Sequence, residues 1–318
     1  MTQHSAIEVS IHGVKGAKKE AQCDLLAVEE PLEMRLAATS STRLNTQLRP
    51  RSVSITMRTP GHDFELAAGF LFSEGILRSR EDIIAMRHLG LPQGAAQSHN
   101  IVQIDLQANV EIDFERLERF GTTTSSCGVC GKTSIADLRT GLDELDEATF
   151  EYSNDAPKDT SKSRDFVVEA PTIHTLPHTL RAAQSVFDQT GGLHAAALFD
   201  GAGNLLMLRE DVGRHNALDK LIGAQFLENQ LPLCDKIVLL SGRVSFDLVQ
   251  KAVVAGVPIL AAVGAPSSLA VDVARSFGLT LLGFVRNERF NIYSGAHRIG
   301  EVAHDDVNQP RAGASGLD

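Results

Sequence analysis

Short apolar runs alternate with amphipathic stretches through the second half of the chain, and this order constrains the fold more than any other feature. Strand-like Lys236–Leu240, Pro258–Val263 and Thr280–Phe284 are separated by helical patterns over Ser245–Ala255 and Ser267–Phe277. Two successive crossovers of this kind make the three strands parallel. Parallel strands align their C-terminal ends on one sheet edge, where open α/β sheets bind ligands. The ends here are Ser241-Gly242-Arg243, Gly264 to Ser268, and Arg286-Asn287-Glu288-Arg289. They offer backbone amides, hydroxyls and guanidinium groups, which suit phosphate, ribose and base edges.

Upstream of the crossovers, a helical period over Pro177–Phe187 gives way to Leu193–Phe199, a Gly-rich turn and Leu205–Leu208, the pattern of a hairpin. His194 sits on its first strand between apolar neighbours, so a satisfied core histidine is the simpler alternative to a site role. Asp211-Val-Gly-Arg-His-Asn-Ala217 then brings a carboxylate, Arg214 and His215 to a helix start. Capping by Asp211 with solvated Arg214 and His215 competes there with a functional reading. Ser267 or Ser268 likewise either caps a helix or helps to hold an anion. The Phe284-Val285-Arg286-Asn287-Glu288-Arg289 run reads as a ligand rim, against a solvated loop.

The first half is simpler. Ser52–Arg58 alternates as a strand, Asp63 caps a helix in which Phe64, Ala67, Ala68, Leu71 and Phe72 share a face, Gly75 stops it, and Ile101–Leu106 is a second strand. The expected organisation is a weakly ordered tail over 1–28, a small α+β domain over 29–151 with a cysteine loop at 121–135, a linker or insertion over 152–165, a ligand-binding domain over 166–303, and a tail over 304–318.

Composition removes several function classes. The formal charge is −10 and tryptophan is absent, so nothing draws the chain to bulk nucleic acid. Its most apolar stretch, Ala252–Ala265, is short and cut by Gly256, Pro258 and Gly264, so no membrane partner is expected. Four cysteines and an opening without a secretory pattern suggest a reducing cytoplasm. No Gly-x-Gly-x-x-Gly opens a crossover helix and no Walker lysine loop occurs, which argues against hydride transfer and ATP hydrolysis.

Cys127 and Cys130 lie in Thr122-Thr-Thr-Ser-Ser-Cys-Gly-Val-Cys-Gly-Lys132, a small-residue segment suited to holding an accessible thiol pair. Such a pair can chelate metal, form a reversible disulfide or carry sulfur as a persulfide. Zinc needs two more ligands, and the sequence offers no second Cys-x-x-Cys or His-x-x-x-His. A thioredoxin-like pair follows a buried strand, whereas this one follows polar residues. A swinging carrier thiol, with Lys132 favouring the thiolate, fits the segment better.

With these segments together, the chain resembles the FdhD family of formate dehydrogenase accessory proteins. The resemblance spans most of residues 29–295. It rests on Glu29-Glu-Pro-Leu-Glu33, Met57-Arg-Thr-Pro-Gly-His-Asp63, Gly69–Ile76, Ser125–Gly131, Gly191–Ala197, Glu210–Lys220, Leu240–Arg243 and Arg289–Tyr293. It implies a sulfurtransferase. A cysteine desulfurase of the IscS type would load sulfur on Cys127 as a persulfide, and Cys130 would assist or act as second acceptor. Sulfur would then pass to a molybdenum (or tungsten) bis-molybdopterin guanine dinucleotide cofactor before its insertion into formate dehydrogenase. The resemblance further implies that Phe284–Arg289 contact the guanine nucleotide, that free guanine nucleotides mimic the cofactor, and that the protein is a homodimer with no catalytic metal of its own. It also implies a cytidine deaminase-like C-terminal domain. The places where a zinc deaminase carries its ligands read His215-Asn-Ala217 and Ser241-Gly-Arg243, without the general-base glutamate or the thiolates, so deamination is not expected. The rival readings are a chaperone that delivers the cofactor without handling sulfur, and a zinc-dependent enzyme.

Overall fold

A computed structural model describes residues 5–38, 50–90, 99–110, 112, 166–286 and 288–300. Cys127, Cys130, the cysteine loop over 121–135, the 152–165 segment and Asn287 lie outside the described residues.

The architecture is mixed α/β, as the alternating pattern requires. Six strands run in spatial order β13 (Arg289–Ser294), β12 (Thr280–Arg286), β11 (Ile259–Ala262), β10 (Ile237–Leu240), β8 (His194–Phe199) and β9 (Leu205–Asp211). Strands β10, β11 and β12 are mutually parallel, while β8, β9 and β13 are added antiparallel. Strands β10 and β11 are buried throughout, because helices cover both faces of the sheet. On one face α2 (Ala170–Ala183) inserts Ile173, Leu176 and Leu180 against Ala197, Leu239 and Ala261. On the other, α4 (Arg214–Leu227), α5 (Phe246–Val254) and α6 (Ser268–Ser276) meet Leu198, Val238 and Leu260. Between α2 and α4 runs the short α3 (Ser185–Thr190).

The first half forms a four-stranded sheet in the order β4 (Arg51–Arg58), β3 (Glu30–Ala38), β6 (Ile101–Leu106) and β5 (Ile83–Leu89). Its helix α1 (Asp63–Ser73) crosses α4 so closely that glycine is required on both. A Cβ on Gly69 would stand 1.9 Å from the Asp219 carbonyl oxygen, and one on Gly223 would stand 1.8 Å from that of Glu65. Through this crossing Leu66, Leu71 and Phe72 join Leu218, Leu221 and Phe226 in one core. The strand pair β14 (Ile299–Gly300) and β7 (Val168–Glu169) is parallel and links the end of the described chain to the start of α2.

Several elements differ from expectation. Residues 6–27, expected within a weakly ordered tail, form an antiparallel hairpin of β1 (Ala6–Lys15) and β2 (Lys18–Ala27), turning at Gly16 with φ 63°. Nine of the ten residues of β2 are exposed, so it carries no apolar stripe that would mark it as a strand. The helix expected over Pro177–Phe187 is two, broken at Gln184, and the first begins at Ala170 with Pro171 in its opening turn and Pro177 inside it. Asp63 does not cap α1. His62 occupies that place with φ 59°, and Asp63 instead receives a two-pronged bond from the fully buried Arg58, Nε to Oδ1 at 2.9 Å and Nη2 to Oδ2 at 3.0 Å.

Candidate functional site

The topology gathers the predicted residues on one sheet edge. Strands β10, β11 and β12 leave the sheet there. Because β8 is antiparallel to β10, His194 enters at the same edge, and β9 returns to it at Asp211, immediately before α4. The edge is laced together in sequence. Ser241 N donates to Ala195 O (3.0 Å) and Ala195 N to Ser241 Oγ (2.8 Å); Gly264 N donates to Gly242 O and Phe284 N to Gly264 O, both at 3.1 Å. The glycines permit this closeness. A Cβ on Gly264 would lie 2.7 Å from Gly242 O, and one on Gly242 would press on the His194 ring at 3.2 Å.

The charge on this edge is cationic, with neutral imidazoles between the cations. His194 is half-buried, and its pKa is lowered chiefly by burial and then by Arg214, with Asp211 opposing and Arg243 adding. It is therefore neither an enclosed core histidine nor a cation. The His215 pKa is pushed down to about 3, first by burial and then by Lys251, Arg214 and His194. Its Nε2 lies 3.2 Å from Ser245 Oγ and 3.9 Å from Asp247 Oδ2. Arg243 is exposed and Arg214 half-buried, so one guanidinium is free to meet a ligand while the other lowers both histidine pKa values. Ser267 Oγ accepts from Ala270 N at 3.3 Å as the cap of α6.

The described residues of the 284–289 rim belong to the ends of β12 and β13 rather than to a free loop. Strand β12 continues to Arg286 and pairs with Arg289 of β13 across a register shift after Gly283. Phe284 has φ 56° and Glu288 φ 57°, a left-handed conformation that costs non-glycine residues about 1 kcal/mol or more. Val285 is buried, while Arg286, Glu288 and Arg289 face solvent.

Asp211 plays a part that sequence reasoning missed. Gly213, not Asp211, is the N-cap of α4. Asp211 is fully buried and pairs with Lys220 Nζ at 2.7 Å. It also accepts from Thr59 N (3.1 Å), Gly213 N (2.8 Å) and Asn216 Nδ2 (2.9 Å). Lys220 in turn donates to Thr59 O at 2.8 Å, and Asn216 Nδ2 to Met57 O at 2.7 Å. The Met57–Asp63 and Glu210–Lys220 motifs thus form one buried clamp, which fixes the turn presenting Arg214 and His215. The available signal was Asp219-Lys220 standing between Leu218 and Leu221 on an apolar helix.

Among the described residues no three His, Cys, Asp or Glu side chains converge to hold a metal, and no helix is long and apolar enough to cross a membrane.

Comparison with known proteins follows the same chain segments. The model of the FdhD/NarQ family matches residues 40–300. A sulfur carrier protein FdhD from Mycolicibacterium paratuberculosis is 46% identical over 281 residues, covering 88% of this chain and 93% of its own. Another from Streptomyces avermitilis is 47% identical over 277 residues, covering 87% and 89%. A solved structure from Desulfotalea psychrophila, assigned as a formate dehydrogenase accessory protein, superposes with a TM-score of 0.61 over 93% of this chain and all of its own; at 22% identity it shares the fold. On the extent of the family match and the identity to these relatives, the chain belongs to the FdhD/NarQ family.

Proposed function

We propose that this protein is a sulfur carrier that serves formate dehydrogenase, taking sulfur from an IscS-type cysteine desulfurase and passing it to a molybdenum or tungsten bis-molybdopterin guanine dinucleotide bound at the sheet edge. The observation that carries the reading is the convergence of three parallel-strand ends with His194, Arg214 and Arg243 on one rim. The exposed guanidinium groups of Arg243, Arg286 and Arg289 there suit the phosphates of a dinucleotide. The two imidazoles are neutral at neutral pH, so they hydrogen-bond to such a ligand without adding charge.

The transfer chemistry is thiol exchange. The Cys127 thiolate attacks the terminal sulfur of the desulfurase persulfide; the donor S–S bond breaks, the desulfurase cysteine leaves as thiolate, and Cys127 gains the persulfide. Attack by the Cys130 thiol on the Cys127 sulfur then forms a Cys127–Cys130 disulfide and releases sulfide for the metal. A thiol reductant resets the pair. The reading includes a homodimeric carrier acting in the cytoplasm, with free guanine nucleotides as cofactor mimics.

The test is direct. After incubation with desulfurase and cysteine, mass spectrometry should find one added sulfur atom on Cys127, and Cys127→Ala should abolish formate dehydrogenase maturation with the fold intact by circular dichroism. A Cys127→Ala protein that still matures the enzyme would leave only delivery of the cofactor.

A further inference from the structure

The hairpin over residues 6–27 stands apart from both cores. A two-stranded ribbon by itself is marginal in water. This one is held at its base, where Val28 N donates to Ser5 O (2.9 Å), Ser5 Oγ meets Pro60 O (3.3 Å) and Gly192 lies near Ala27, and both strands also touch α3. Ile7 at 56%, Val14 at 70% and Leu26 at 45% are exposed, while Val9 and Ile11 are half-buried. Among the described residues neither long edge of the ribbon is paired.

The two edges are not equivalent. Strand β2 carries Lys18, Lys19, Glu20 and Asp24, the kind of charged edge that discourages further pairing. Strand β1 reads Ala-Ile-Glu-Val-Ser-Ile-His-Gly-Val-Lys, with neither proline nor lysine until its last residue. It is also complementary to itself. With a two-fold axis through Ser10, antiparallel pairing of two β1 strands keeps the faces matched. Glu8 then stands opposite His12 of the second copy, Val9 opposite Ile11, and Ala6 opposite Val14. Each of these contacts occurs twice, as an isologous interface requires. Ile7 and Leu26 are cross-strand partners on the same face as Val9 and Ile11, so the two copies would merge their apolar strips.

The geometry points to β1 as a docking edge for a second copy of this chain, joining the two hairpins into one four-stranded sheet across the two-fold axis. The inference rests on the homodimer in the proposed function and names its interface; it is independent of sulfur transfer.

The experiment uses the full chain and light scattering across micromolar concentrations. The expected result is a dimer that Glu8→Lys weakens about tenfold or more, since two cross-strand pairs are lost at once, and that Glu8→Lys with His12→Glu restores. Residues astride the axis have Cα atoms about 4.5–5.5 Å apart, within disulfide reach. Ser10→Cys in a Cys23→Ser background should therefore cross-link two chains at position 10, mapped by peptide mass spectrometry. Cys23 is removed because it faces Ser10 within the same hairpin, and Cys23→Ser alone is the control. A dimer unmoved by Glu8→Lys, without a cross-link at position 10, would overturn this interface while leaving a dimer in place. A monomer at every concentration would overturn the dimer itself.

Discussion

His215 is neutral in the folded protein because burial and three nearby basic side chains oppose its protonation. In the unfolded chain it binds a proton below about pH 6.5. The unfolded state therefore holds more protons between about pH 6.5 and pH 3, and stability falls on acidification through that window by up to about 1.4 kcal/mol per pH unit. His194 and His88 are shifted in the same direction and add to the slope, whereas Asp219, whose pKa burial raises to about 6, binds its proton in the folded state first and opposes it between about pH 6 and pH 4. His215→Asn should flatten but not abolish the slope, measured as urea unfolding between about pH 4 and pH 7; an unchanged slope would place the buried imidazole elsewhere. Exposed Arg243 makes a different prediction. Arg243→Ala should weaken binding of guanosine diphosphate about tenfold or more, the worth of a charge-assisted contact, without moving the melting temperature. Calorimetric titration at two salt concentrations would detect it. The strand-end residues were legible because Gly, Ser and Arg after parallel strands have few other reasons to cluster. The Asp211–Lys220 clamp was not, because its third member, Thr59, is supplied by the other half of the chain.

The crossing of α1 on α4 is the element-level decision that fixes the whole arrangement. Gly69 and Gly223 let the helix backbones touch, and the contacts that a Cβ would make are with main-chain carbonyls that have nowhere to move. Gly223→Val should destabilise the protein by about 3 kcal/mol or more through forced separation of the helices. Gly90→Ala, where a Cβ meets nothing within 4 Å, should stay within about 0.5 kcal/mol of the parent. Denaturant unfolding of the pair separates a true close approach from a general intolerance of glycine substitution. Elements with a covered face were readable: β10, β11 and β12 lie within two residues of their expected bounds. The hairpin was missed because strand pairing, rather than burial, makes β2 a strand. The α2–α3 break was missed for another reason. Pro177 looks like a first-turn residue, yet it lies mid-helix between Leu176 and Leu180, whose burial holds that helix together despite the lost amide.

At the scale of the molecule, the two sequence halves share one apolar core. Leu66, Leu71 and Phe72 share a core with Leu218, Leu221 and Phe226. Lys251 Nζ reaches Asp219 Oδ1 at 2.8 Å and Ser73 Oγ lies 3.4 Å from the same oxygen, while Arg209 Nε meets Glu65 Oε2 at 2.5 Å. The Ser73–Asp219 and Arg209–Glu65 links cross between the halves, and Lys251 holds Asp219 in place from within the second, so separating the halves would break these links and expose the shared apolar core. Lys220→Met should cost about 3–5 kcal/mol, because it leaves the fully buried Asp211 without its counterion. Adding Asp211→Asn should recover part of that loss, since a neutral amide costs less to bury and its oxygen can still accept from Gly213 N, although the Thr59 amide then loses its acceptor. If the core is common to both halves, scanning calorimetry should show one transition for the parent and for both variants, displaced to lower temperature but not divided. The same clamp holds the turn bearing Arg214 and His215, so nucleotide affinity should fall in Lys220→Met even well below its melting temperature. Two separate transitions, or a destabilised variant with unchanged affinity, would show that the rim is held by its own half alone.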